Sequence, residues 1–244
     1  MLARATATRD DRTGTLVHLL TASGAIAGLV ALQRVIDGDV RAALLWLIAC
    51  QVLDGIDGPI ARRYDAATKA PHIDGRTLDL VVDYVTCVVV PVELLIQLQL
   101  VPARWTTFFA GLILLTSALW FARSDQETSD SWFNGFPAMW NVVIPTFVLL
   151  GTGPRTTMAV ALLFCALQLT DLKFPHLVRV QALRWLTLSL TAVYLLAFVW
   201  MSAVYPDGPA WAMAIMLIGP AYAAALVCWR TVAPHRTFFG HAII

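Results

Sequence analysis

Eight apolar runs follow one another along this chain, and no polar stretch between them is long enough to fold as a soluble domain. They span Leu16–Ile36, Val40–Arg62, Leu78–Val101, Trp105–Phe121, Pro137–Leu150, Thr156–Leu172, Val180–Val204 and Pro209–Trp229. A helix needs about 20 apolar residues to cross hydrocarbon. Lipid offers no hydrogen-bond partner for irregular backbone, so such runs must be helical. The expected fold is an all-α polytopic integral membrane bundle of about eight transmembrane helices. The fifth and sixth runs are short, and the fifth carries Pro145. A single re-entrant pair is the alternative for those two.

Composition agrees. The chain is 59% hydrophobic and 14% charged, against about 45–50% and about 25% in soluble domains. A net charge of +1 gives no electrostatic footprint for nucleic acid. The cysteines Cys50, Cys87, Cys165 and Cys228 each sit inside an apolar run, without disulfide or zinc spacing. They read as small buried hydrophobes. No small-residue cleavage site follows the first run, which is read as a retained span.

Orientation follows from lysine and arginine. With eight spans and a cytoplasmic N-terminus, thirteen of the seventeen cations fall inside, Arg4, Arg62, Arg123, Lys173, Arg179 and Arg236 among them. Arg34, Arg41, Arg104 and Arg155 fall outside. Both termini are therefore expected in the cytoplasm, with a basic surface helix possible at the start. Trp105, Trp200 and Trp211 would lie at the outer interface, and Trp120, Trp185 and Trp229 at the inner one.

The chemistry lies between the second and third runs. DGIDGPIARRYDAATKAPHIDGRTLDLVVD, from Asp54 to Asp83, holds six aspartates. Acids beside hydrocarbon are costly and usually functional. Asp54 and Asp57 are one helical turn apart at the end of the second span. Asp79 and Asp83 are one turn apart at the start of the third. Four carboxylates facing each other need something positive among them. All-oxygen ligands suit Mg²⁺ or Mn²⁺, and a pair of ions leaves room for substrate phosphates. Gly55, Gly58 and Gly75 allow close backbone approach. Arg62 can fork onto a phosphate, and Pro59 can bend the helix. Asp65 and Asp74 read as solvated loop charges.

The pattern Asp54-x-x-Asp57-Gly58-x-x-Ala61-Arg62, twelve residues, then Gly75-x-x-x-Asp79-x-x-x-Asp83 resembles the signature of the CDP-alcohol phosphotransferases. These membrane enzymes move a substituted phosphate from a CDP-linked donor to an alcohol and release CMP. The long gap, Gly55 and the eight runs resemble the bacterial branch that joins CDP-diacylglycerol to choline. The resemblance implies metal binding by Asp54, Asp57, Asp79 and Asp83, with Asp83 also the general base. It implies a CDP site lined by Gly58, Ala61, Arg62, Gly75 and, from the first span, Thr21. Packing of small residues is the other reading of Thr21–Gly24. The resemblance further implies a six-helix catalytic core over 16–172, preceded by a cytoplasmic segment 1–15 and followed by two added helices and a tail over 173–244. A homodimer in the bacterial cytoplasmic membrane, with its site facing the cytoplasm, is expected.

The loop after the fourth span, ARSDQETSDSWFNGFPAMWN, offers acids and aromatic rings where a phosphorylated acceptor would call for a basic cluster. That suits a quaternary ammonium, which binds aromatic faces. Trp132 and Trp140 lead, with Glu127 and Phe136 beside them, as expected choline contacts. The competing reading is an interfacial loop dipping its rings into lipid. The segment Lys173–Val180 could touch the diphosphate or anchor to anionic lipid, and the anchor is the favoured reading. Other acceptors (serine, glycerol phosphate, inositol), a CDP-choline donor, and a divalent-cation transporter are the alternative functions.

Overall fold

The computed structural model of the chain describes residues 9–181 and 183–232. Arg4 and Arg236 of the charge count, and a surface helix at the first residues, lie outside them. Helix α1 (Arg9–Ile36) and helix α2 (Val40–Tyr64) pack as a hairpin. Gly38 makes the turn with φ +75, a region glycine enters without penalty. Asp39 then caps α2 by accepting from the Ala42 amide at 3.0 Å. Asp65, in the left-handed region with φ 53, closes α2 by donating its N–H back to the Ala61 and Arg62 carbonyls. A single turn, α3 (Ala66–Lys69), follows.

Helix α4 (Gly75–Asp83) opens at Asp74, whose carboxylate accepts from the Arg76 and Thr77 amides and, at 2.7 Å, from the Thr77 hydroxyl. These bonds, the Thr77 hydroxyl foremost, hold the Asp74 carboxyl below the usual carboxylate range. Asp74 is exposed, as the sequence reading expected of a solvated charge, and also caps the helix. Asp65 likewise has a local task, accepting from the Thr68 hydroxyl at 3.0 Å. From α4 the backbone stays helical through a π-helical stretch (Tyr84–Val89) into α5 (Val90–Gln97). The third expected span is this composite.

The remaining helices are α6 (Ala103–Phe121), α7 (Trp140–Leu149), α8 (Pro154–Gln168), α9 (Arg184–Val204) and α10 (Ala210–Val232). Among the described residues, five helices are long and apolar enough to cross a membrane: α1, α2, α6, α9 and α10. The fifth and sixth expected spans are α7, of 10 residues, and α8, of 15. At about 1.5 Å per residue both fall short of a hydrocarbon layer about 30 Å thick. Buried polar groups tie α6, α7 and α8 together. Ser117 accepts from Trp140 Nε1 at 2.9 Å, and Gln168 accepts from the Thr116 hydroxyl at 2.7 Å. Inside a bundle such bonds replace the water that backbone and side chains lack.

The core runs through Leu44, Leu47, Leu95, Ile113, Ile144 and Phe198. Ile26, Phe108, Leu162 and Leu196 face outward, as lipid-exposed helix faces must. Trp105, Trp185, Trp200 and Trp211 are also exposed, as an aromatic belt requires. Trp120 departs from that expectation: it is buried and donates to the Asn134 carbonyl at 2.8 Å. Cys50 and Cys165 are buried as expected, but Cys228 is exposed on α10. Among the described residues, the one element outside an all-helical plan is a two-stranded ribbon. Strand β1 (Trp132–Asn134) pairs antiparallel with β2 (Lys173–Pro175), Phe133 opposite Phe174.

Candidate active site

The end of α2 and the start of α4 bring three carboxylates together. One oxygen from each of Asp54, Asp57 and Asp79 lies within 4.8 Å of the others. Asp83, one turn further along α4, lines the same pocket but is not in that group of three. Two like charges about 4 Å apart repel by about 4 kcal/mol in a partly polar environment. The cluster therefore calls for a cation. Three oxygen donors, with no histidine or thiolate among them, fit a hard divalent ion such as Mg²⁺ or Mn²⁺. The π-helical stretch begins directly after Asp83, and its Thr86 also lines the pocket. Such turns recur at functional sites.

Helix α1 supplies the third wall. Thr21 and Gly24 line the pocket. The approach is close because glycines stand at the contacts. A Cβ at Gly24 would lie 2.8 Å from Val82 Cγ1, and one at Gly28 would lie 3.0 Å from Thr86 Cγ2. Small residues of the Thr21–Gly24 stretch pack α1 against α4, and this packing puts Thr21 at the wall of the carboxylate pocket. Gly75 works the same way, because a Cβ there would lie 2.8 Å from His18 Cε1. Gly75, which the resemblance puts at the nucleotide site, thus also packs α4 against α1. His18 is buried, and its Nε2 has no hydrogen-bond partner.

Further along α2, Arg62 folds back over Gly58. A Cβ at Gly58 would meet the guanidinium Nη1 at 3.4 Å. Ala61 is half-buried beside Arg62, and nothing lies within 4 Å of a Cβ at Gly55. Pro59 sits inside α2, so it cannot donate to the carbonyl four residues before it.

The acid-rich loop is organised differently from the sequence expectation. Each of its acids meets an arginine. Arg123 forks onto Asp125 at 2.9 Å and reaches Asp171 at 2.6 Å. Arg230 pairs with Asp130 at 2.7 Å, and Arg179 with Glu127 at 3.3 Å. Asn134 holds the loop's centre, donating to the Asp125 carbonyl and accepting from Lys173. The rings are turned inward. Trp132 is fully buried, with the Arg230 guanidinium 5.2 Å from its ring centre. Trp140 is fully buried in the core, and Phe136 stacks on Phe164 at 4.1 Å. Trp132, Trp140 and Phe136 therefore do not offer an open aromatic face to an ammonium ion, because packing and Arg230 already occupy them. Of the four residues expected at choline, Glu127 alone keeps a substantially exposed side chain.

For the segment Lys173–Val180 the sequence leaves two readings, a lipid anchor, which is favoured, and a contact to the diphosphate; neither foresees its pairing with the acid-rich loop. Strand β2 pairs with β1, and the turn that follows sets Arg179 against Glu127 at 3.3 Å. Arg76, just inside α4, ties the loop to the site by donating to Gln126 at 3.4 Å.

The CDP-alcohol phosphatidyltransferase profile matches residues 15–193, which include every residue of the carboxylate pocket. The chain belongs to the CDP-alcohol phosphatidyltransferase family. It is a transferase of the membrane. Within the family it is similar to the phosphatidylcholine synthase of Pseudomonas aeruginosa, 39% identical over 181 residues, covering 74% of this chain and 76% of the relative. The phosphatidylcholine synthase of Rhizobium meliloti is 35% identical over 178 residues, covering 73% and 74%. That of Borreliella burgdorferi is 30% identical over 184 residues, covering 75% and 79%.

Proposed function

We propose that this family member is a phosphatidylcholine synthase, transferring the phosphatidyl group from CDP-diacylglycerol to choline with release of CMP. The observation that carries the reading is the Asp54–Asp57–Asp79 cluster, with Asp83 in the same pocket, at the family's motif positions. The phosphatidylcholine synthases among its relatives give the acceptor. Membership of a transferase family sets the transporter alternative aside.

In this reading Asp54, Asp57, Asp79 and Asp83 hold a pair of Mg²⁺ or Mn²⁺ ions. When bound there, the metal would neutralise the diphosphate and the charge that develops on departing CMP. Arg62 grips the diphosphate, and Thr21, Gly58, Ala61 and Gly75 shape the nucleotide site around it. Asp83 takes the proton from the choline hydroxyl. The choline oxygen forms a bond to the lipid-bearing phosphorus as the bond from that phosphorus to the CMP oxygen breaks. The protein's share is positioning and fixed charge. Glu127, the accessible acid of the loop, faces the choline ammonium.

We further propose eight membrane crossings and both termini in the cytoplasm; α7 and α8, too short to cross alone, make the fifth and sixth together with flanking chain buried in the bundle, such as Phe136 and Ala138. The lysine and arginine distribution supports this. It puts the aspartates at the cytoplasmic face of the bacterial inner membrane, where donor lipid arrives sideways and choline from water. The chain divides into a leading segment 1–15, a six-helix core 16–172 and an added pair over 173–244, and acts as a homodimer.

The test is an acceptor panel. Purified protein with CDP-diacylglycerol and Mn²⁺ is offered labelled choline, serine, glycerol 3-phosphate and inositol. Choline should give labelled lipid far faster than the others. Preference for another alcohol would move the protein to a different branch of the family, and activity with CDP-choline and diacylglycerol would reverse donor and acceptor.

A further inference from the structure

Helix α1 meets the chain from Ala70 to Thr86 in rising order. A Cβ added at Gly14 would lie 2.9 Å from Ala70 Cβ, one at Gly75 2.8 Å from His18, one at Gly24 2.8 Å from Val82 and one at Gly28 3.0 Å from Thr86. The two segments therefore run parallel. Helix α2 folds back along α1 as a hairpin, so α2 and α4 run antiparallel. A residue just after Asp57 on α2 and a residue just before Asp79 on α4 then lie at the same end of the carboxylate cluster. Arg62 is the first of these, and Arg76 is the second.

Arg76 also stands on the face of α4 that the pocket uses. It precedes Asp79 by three residues and Asp83 by seven, spacings that share one helical stripe. Asp79 and Asp83 both line the pocket. The stripe thus places Arg76 one turn, about 5.4 Å of rise, before Asp79. Its amide is held at 3.0 Å by the Asp74 carboxylate, while the residue as a whole is exposed. The stem is fixed and the side chain is accessible.

The partner of Arg76 differs from those of the other arginines at the acid-rich loop. Arg123, Arg179 and Arg230 each hold a carboxylate. Arg76 donates to the neutral side-chain oxygen of Gln126 at 3.4 Å. Gln126 is buried, and its amide nitrogen donates to the Trp120 and Phe121 carbonyls, each at 3.2 Å. That leaves its Oε1 aimed at Arg76. A neutral amide held in this way orients a guanidinium without cancelling its charge.

A charge kept uncancelled at this end of the cluster matches one substrate and not the other. The choline ammonium would be repelled by it. The donor diphosphate is a dianion that accepts forked hydrogen bonds from a guanidinium. Four carboxylates and that dianion, set against a pair of divalent ions, leave two negative charges, which Arg62 and a second arginine together cancel. We propose that Arg76, oriented by Gln126, is the second guanidinium that binds the donor diphosphate. The inference rests on the CDP-linked donor of the proposed function.

The experiment titrates the purified full-length chain with CDP-diacylglycerol in mixed micelles of a neutral detergent, with Mn²⁺ and without acceptor. Tm and the choline KM at saturating donor are measured alongside. Arg76→Gln keeps a hydrogen-bond donor for Gln126 and removes the charge. It should weaken donor affinity roughly ten-fold or more, as expected on losing a charge-assisted hydrogen bond, at the wild-type Tm. Arg76→Lys keeps the charge without the planar fork and should fall between Arg76→Gln and the wild type. Gln126→Met should weaken donor affinity less than Arg76→Gln and add nothing to it in the double variant, because both act through one guanidinium. Wild-type donor affinity in Arg76→Gln would overturn the proposal. So would a raised choline KM at unchanged donor affinity, which would make Arg76 only a brace for the loop. Losses that add in full in the double variant would overturn the orienting role of Gln126. A wild type that binds CDP-diacylglycerol but does not use choline would instead count against the proposed acceptor, with Arg76 still judged by donor binding alone.

Discussion

His18 and Gly75 occupy one space: the His18 ring stands where a side chain at position 75 would begin, 2.8 Å from an added Cβ. This contact sets how closely α1 approaches α4 and so where Thr21 meets Asp79 and Asp83. Gly75→Ala should force the buried ring or the helix aside. Overpacking of this kind costs about 1–3 kcal/mol, read as a lower Tm and lost activity. His18→Ala in the same chain should recover much of the Tm. A double variant as unstable as Gly75→Ala would show that the clash is not the cause.

Asp83 lines the carboxylate pocket one turn beyond Asp79, outside the group of three clustered carboxylates. Asp83→Asn should lower turnover by about 10² or more, as expected for a lost general base, while donor binding largely persists. Turnover near that of the wild type would remove Asp83 from the chemistry.

Removing divalent metal with a chelator should abolish activity, and Mn²⁺ or Mg²⁺ should restore it. Asp57→Asn, at the most buried of the three clustered positions, should raise the metal concentration needed for half-maximal rate. Full activity in excess chelator contradicts the metal assignment.

Trp132 and Trp140 should behave as core residues. Large-to-small changes at fully buried tryptophan cost about 3–5 kcal/mol. Trp132→Ala also strips the ring from under Arg230, and Trp140→Ala removes the shorter of the two bonds donated to the Ser117 hydroxyl, leaving that from Gln168. Both should lower the Tm markedly while the folded fraction keeps its choline KM. A raised choline KM at unchanged Tm would return these rings to the acceptor site.

What the sequence made legible follows from local periodicity. Asp54 with Asp57 and Asp79 with Asp83 are one turn apart on helices joined by a short connection, so their meeting could be read directly. Thr21 was reached through the resemblance, and its wall of glycines gives the physical reason. The loop was opaque for the opposite cause. Its partners are distant: Glu127 finds Arg179, and Asp130 finds Arg230 from 100 residues away. Strands of three residues carry no alternation to detect. Trp132 at an interface and Trp132 in a core look the same in composition, and only the fold decides. The length of α7 was hidden likewise, since an apolar run says nothing of where its helix starts.

The most direct measurement counts two products together. Purified wild-type protein and Asp79→Asn are each given labelled choline, CDP-diacylglycerol and Mn²⁺, and labelled lipid and CMP are quantified over the same interval. The account predicts equal amounts of phosphatidylcholine and CMP from the wild type, and loss of both from the variant. CMP release without labelled lipid, or an Asp79→Asn variant as active as the wild type, would contradict it.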